Sequence, residues 1–102
     1  MTLEEIRQRV RRGRYHISFT HTEKLRRRQI TVKELEEAIS KGKIIEDYPH
    51  DPRGASCLVL GFTHVGRPLH LVCGKIEEEV IIITAYEPST DEWEEDLRTR
   101  RR

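Results

Sequence analysis

Ser56-Cys57-Leu58-Val59-Leu60-Gly61-Phe62-Thr63, then His64-Val65-Gly66, then Arg67-Pro68-Leu69-His70-Leu71-Val72-Cys73-Gly74: two apolar runs flank a three-residue turn that ends in glycine. Apolar runs of this length bounded by turn residues read as strands, and so short a connection makes them an antiparallel hairpin. If Thr63 pairs with Arg67, Cys57 and Cys73 face each other on the two strands. The chain has 2 cysteines, without CxxC spacing and without a His/Cys cluster. A zinc site is therefore not expected, and free, packed thiols in a reducing cytosol are.

The pattern on either side of the hairpin extends the sheet. Lys43–Tyr48 reads as a strand, followed by the turn-rich loop Pro49-His-Asp-Pro-Arg-Gly54. Val80–Tyr86 carries a run of isoleucine typical of a strand buried on both faces, and Glu87-Pro88 ends it. Ser89 with Glu92 is placed to cap a last helical turn holding Trp93. The first half is helical. Thr2 with Glu5, Thr20 with Glu23 and Thr31 with Glu34 are three capping-box patterns. They open helices over residues 2–12, His21–Arg28 and about 31–42, and Gly13 and Gly42 stop the outer two. Tyr15-His-Ile-Ser-Phe19 alternates as a strand. The order α-β-α-α-β-β-β-β gathers helices at one end of the sequence and strands at the other. It predicts a single α+β domain, its N-terminal helices packed on one face of a mostly antiparallel, four- to five-stranded twisted sheet. That domain is expected over residues 1–95, with 96–102 a mobile basic tail.

At 102 residues the chain suffices for one domain with one core, and at 35% hydrophobic against 36% charged that core is thin. No apolar run approaches the ~18–20 residues of a membrane span. The start is charged from Glu4 onward, unlike a signal peptide, so a mature cytoplasmic chain is expected. Net charge is only +1, but it is unevenly spread. Basic residues crowd the segment to Arg28, acidic ones the segment 76–97, and Arg98–Arg102 is basic again. Patches of this kind steer polyanions more than the total does, although such runs also occur as plain solvated faces.

His21, Lys24 and Arg28 stand at i, i+3 and i+7 and share one helix face around Leu25, the apolar residue expected to anchor it. The three polar groups then sit at the rim between helix and sheet, where partial desolvation strengthens charge contacts to a phosphate. The alternative is a helix edge reaching its long side chains into water. Arg26 and Arg27 point elsewhere, to solvent or to a second, RNA-binding patch. Arg67 and His70 lie three apart on one strand and so point to opposite faces. Between Leu69 and Leu71, His70 reads either as a hydrogen-bonded core residue or as a proton-transfer group. Tyr48 and Tyr86 end strands beside loops, where a phenol can stack on a base or move a proton. Loop residues His50, Asp51 and His64 lack metal-ligand spacing.

Taken in order, His-Thr-x-Lys-x-x-x-Arg-x-Ile, Ile-Ile-Glu-Asp-Tyr-Pro-x-Asp-Pro-Arg, Cys-Leu-Val-Leu-Gly, Gly-Arg-Pro-Leu-His and Ile-Ile-Thr-x-Tyr-Glu-Pro resemble small bacterial and archaeal domains of unknown function grouped near the RelE/ParE-type and BrnT-type toxins. The likeness runs from about Tyr15 to Trp93. One departure is that the family's helix commonly reads His-Ala, with its closing arginine eight positions on; here Thr22 follows His21, and Arg28 is seven positions away. The resemblance implies a RelE-like fold and a toxin of a type II toxin–antitoxin pair that cuts messenger RNA without metal or cofactor. The expected roles are His21 as acid or base, Lys24 and Arg28 as phosphate clamps, Arg67 as a charge stabiliser, and Tyr86 or His70 as a second proton-transfer group. Arg26, Arg27 and Tyr48 would bind RNA. Partners expected are RNA, a small zinc-finger or DNA-binding antitoxin protein and a second copy of the chain, with no membrane. A non-catalytic module binding nucleic acid or protein is the other reading.

Overall fold

The hairpin forms where its sequence dictates. In the computed structural model of the chain, which describes residues 2–52 and 54–102 (Phe19 by its backbone alone), strand β3 (Ser56–Phe62) pairs antiparallel with β4 (Pro68–Ile76). Thr63 N–H donates to Arg67 O at 2.9 Å, and stepping back along the ladder sets Cys57 opposite Cys73. Even steps from that bonded pair make the cysteine position a hydrogen-bonded one, where the Cα atoms stand ~1 Å further apart than at the alternate positions. Both thiols are free and buried. Burial pushes the Cys57 thiol up to about 11.

Strand β2 (Lys43–Tyr48) adds antiparallel to β3, and β5 (Glu79–Tyr86) adds antiparallel to β4. Strand β1 (Tyr15–Ile17) pairs parallel with β5, giving the order β1-β5-β4-β3-β2. The chain is thus an α+β domain with an open, mostly antiparallel five-stranded sheet. Helices α1 (Leu3–Arg11) and α3 (Val32–Ser40) and the short α2 (Thr22–Arg27) bury their apolar residues on one sheet face. Two of the expected caps form. Thr2 accepts from Glu5 N–H, and Thr31 and Glu34 close a full capping box. The Thr20 pattern does not: a 3-10 turn over Phe19–His21 ends the strand early and makes His21 the N-cap of α2. Of the expected turn before β3, Arg53 lies outside the described residues.

The helix-side core joins Ile6, Leu25, Leu35, Ala38 and Ile39 to Val59, Leu71, Ile82 and Ala85. Gly61 lets α3 cross β3 closely: a Cβ there would stand 2.0 Å from the Ala38 carbonyl oxygen. The alternation sends Leu58, Leu60 and His70 to the other sheet face, where the Trp93 ring stands perpendicular to that of His70 with centroids 4.5 Å apart. Two residues of the stretch expected as a mobile tail meet this face: the Leu97 carbonyl reaches His70, and Arg100 reaches Trp93 and Glu46. Arg100 bridges back to Trp93, stacks on its indole at 4.6 Å and forks onto Glu46 with bonds of 2.8 and 3.0 Å. Among the described residues no helix is long and apolar enough to cross a membrane.

Candidate functional site

Two irregularities in the sheet decide which side chains meet. In β2 the register jumps between Ile44 and Glu46, and in β5 it jumps so that Ile83 has no partner on β4. Side chains alternate along a strand, so one extra residue moves everything beyond it to the opposite face. The first bulge turns Glu46 and Tyr48 away from the helices. The second does the same for Tyr86, which pairs across the ladder with His70. Both bulges therefore deliver ionisable groups to the face that already holds His70. Strict alternation would have buried Tyr86 and Glu46 on the helix side.

His70 is fully buried between Tyr86 and Trp93. Its Nε2 is 2.7 Å from the Leu97 carbonyl, which can only accept, so Nε2 carries the proton. The lone pair is then on Nδ1, 3.2 Å from the Tyr86 hydroxyl, which donates to it. Burial holds His70 below its ordinary pKa, against the pull of the Leu97 carbonyl and Glu46. Burial raises that of Tyr86. Both groups are neutral near pH 7. Next to Tyr86 a cleft of about 380 Å³ opens between the end of β5 and the C-terminal segment, lined by Arg28, Tyr86, Glu87, Ser89, Glu92, Trp93 and Arg100. Tyr48 donates to Glu46, the carboxylate that holds Arg100.

Helix α2 reaches this cleft by gripping one residue of β5. Strand β1 ends at the level of Ile82, and the bulge at Ile83 turns the peptide groups of Ala85 outward past it. Ala85 N–H donates to His21 Nε2 at 2.8 Å, and Arg28 donates to Ala85 O at 2.7 Å. The seven-residue separation of His21 and Arg28 spans the two polar atoms of that residue. Nε2 also lies 3.2 Å from the Ala85 carbonyl, but the N–H, which only donates, is closer, so in neutral His21 Nε2 accepts from it and the proton is on Nδ1, 3.2 Å from the Thr84 hydroxyl. Burial first, then the charges of Arg28 and Lys24, hold its pKa below the ordinary value. His21 is 3% exposed and its basic lone pair is occupied by the backbone. Its ring ties α2 to β5.

Arg67 is likewise committed. It donates to the carbonyls of Arg28 (2.9 Å) and Gln29 (2.8 Å) and pairs with Glu34 and Glu87. The reading that aimed it at the same site as Lys24 and Arg28 meets a guanidinium neutralised by two carboxylates, which fastens the end of α2 to β4. Lys24, Arg26 and Arg27 are exposed, and Arg27 pairs with Glu23. Leu25 anchors the helix as its isolation on that face foretold. Of the residues singled out from the sequence, the structure brings Arg28, Tyr86 and His70 together and sets Tyr48 one carboxylate away. It places His21 and Arg67 behind them as clamps, and leaves Lys24, Arg26 and Arg27 on the outer surface of α2.

Sequence reasoning missed Glu46, Trp93, Leu97 and Arg100. Trp93 had a signal, as the one tryptophan of the chain beside a strand-ending Glu-Pro. Arg100 sat in a basic run that looked like a solvated tail. No curated protein and no solved structure matches the chain. Residues 21–87, from the histidine that grips Ala85 to the glutamate that holds Arg67, match the model of a domain of unknown function, DUF4258, and the chain belongs to that family.

Proposed function

We propose that the domain is a toxin-like, metal-independent endoribonuclease whose working site is the cleft beside Tyr86. The observation that carries this reading is the convergence there of a phenol backed by an imidazole lone pair with a guanidinium at the same strand end. RNA supplies its own nucleophile. The ribose 2′-OH attacks the adjacent phosphorus, the P–O2′ bond forms and the P–O5′ bond breaks. The 2′-OH proton passes to the Tyr86 oxygen as Tyr86 hands its own to His70 Nδ1, and the leaving 5′ oxygen takes a proton from water. Arg28 lies where it can neutralise the charge that gathers on the phosphate oxygens. Lys24 and the exposed Arg26 and Arg27 extend a basic track along α2 for the RNA backbone. In a toxin–antitoxin pair the antitoxin would cover this cleft.

The test is incubation of the purified protein with a synthetic single-stranded RNA in excess chelator. The reading predicts fragments ending in 2′,3′-cyclic phosphate, lost in Arg28→Ala and Tyr86→Phe. RNA that binds with a steep salt dependence yet stays intact would overturn it in favour of a binding module.

A further inference from the structure

Residues 88–102 lie past the family-matched span, yet part of them is built into the site. They form a hairpin closed by Arg101 N–H to Glu92 O at 2.9 Å and Glu94 N–H to Thr99 O at 2.7 Å. At its tip the Asp96 carboxylate accepts from Arg98 N–H, Thr99 N–H and the Thr99 hydroxyl. Leu97 sits there at φ +59°, a left-handed conformation that crowds the Cβ of a non-glycine residue. Such a conformation persists only where its surroundings over-determine it. Its product is the direction of the Leu97 carbonyl, aimed at His70 Nε2.

We infer that Leu97 is a positioning residue: its backbone carbonyl fixes the His70 tautomer so that the Nδ1 lone pair faces Tyr86. This inference deepens the ribonuclease reading and rests on it for its meaning in catalysis. The carbonyl does for His70 what a buried carboxylate does for the histidine of a hydrolase triad. Were the proton on Nδ1 instead, it would point at the Tyr86 oxygen, and Tyr86 could not pass its proton inward. Two further contacts hold the ring, those with the steeply inclined rings of Trp93 and Tyr86, whose centroids are 4.5 and 5.3 Å away. The charged groups near the ring are Glu46 from β2 and Arg100 from the hairpin, which neutralise each other.

The experiment reads the imidazole nitrogens of His70 directly, by NMR of the full chain labelled with ¹⁵N-histidine. The wild type is expected to show one tautomer above pH 7, protonated at Nε2. Leu97→Gly and Leu97→Pro both remove the leucine side chain, and proline also removes the N–H that donates to Glu94 O at 2.8 Å. Glycine keeps a positive φ and so the carbonyl, whereas proline forces φ to about −65° and turns the carbonyl away. Leu97→Gly should keep the single tautomer and Leu97→Pro should lose it. Asp96→Ala, which loosens the tip without touching the core, should show a smaller shift in the same direction and replaces the proline variant if that fails to fold. A wild-type proton on Nδ1, or an unchanged single tautomer when the carbonyl is displaced, would overturn the inference. The measurement needs no RNA, so uncut RNA in the cleavage assay would overturn the ribonuclease reading alone.

Discussion

Replacing His21 separates a framework residue from a catalyst. In His21→Ala the Ala85 N–H, which donates to the ring at 2.8 Å, loses its acceptor in a site that is 3% exposed. A buried donor left unpaired costs ~1–3 kcal/mol. Losing the packing of the ring and leaving a void adds ~1 kcal/mol or more. The sum is about 3 kcal/mol, which for a domain of this size lowers Tm by about 12–24 °C. His21→Gln offers a side-chain carbonyl in place of the lone pair and should lose only ~1 kcal/mol. The assay is a thermal melt followed by circular dichroism, with urea unfolding to confirm that the m value is unchanged. If RNA is cut, His21→Gln should cut it at close to the wild-type rate per folded molecule. An alanine variant melting within about 3 °C of wild type would refute the clamp, as would a glutamine variant that stays fully folded and loses all cleavage.

Arg67→Ala removes two ion pairs and two hydrogen bonds to the end of α2, so it should cost ~2–3 kcal/mol in urea unfolding. Arg67→Lys should recover less than half of that, because an ammonium cannot reproduce the fork. Gly61→Ala should destabilise by about 3 kcal/mol or more, since a Cβ at 2.0 Å from Ala38 must push α3 back by about 1.4 Å to reach an ordinary contact. Acid should weaken the fold earlier than carboxylate titration alone. His21 and His70 have pKa values lowered by burial, so below about pH 6.5 the unfolded chain binds more protons than the folded one. Their contribution is complete above that pH and is lost as pH falls, by up to ~1.4 kcal/mol per pH unit for each ring, until the lower folded pKa values are reached. Urea unfolding between pH 7.5 and 5 measures it, and His21→Gln should remove its share of the slope.

The fold was legible where one periodicity dominates. The Cys57–Cys73 register followed from turn length alone, and α3 followed from Thr31, Glu34 and the spacing of Val32, Leu35, Ala38 and Ile39, of which Val32 is half exposed at the helix start. What could not be read was the set of places where alternation breaks. Val80–Ile83 is apolar throughout, so nothing in it marks the bulge that turns Tyr86 to the face of His70. The triplet His21, Lys24 and Arg28 was visible as a helix face, but its target was not. The groups that His21 and Arg28 grip are backbone atoms of Ala85, made available only because β1 stops short, while Lys24 stays exposed. Backbone partners leave no residue-type trace. The same holds for Leu97, whose carbonyl rather than its side chain meets His70, and for a basic tail whose Arg100 found Glu46 54 residues away.

In the proposed reading Tyr86, His70 and Arg28 form one site that cuts RNA. The most direct measurement is cleavage of a labelled single-stranded RNA in chelator by wild type, Tyr86→Phe and Arg28→Ala, each shown to be folded. The account predicts cyclic-phosphate products from the wild type and a loss of at least about a hundredfold in each variant, the order expected when one proton-transfer or charge-stabilising group is removed. Intact RNA with the wild type, or equal cleavage by folded Tyr86→Phe, would contradict it.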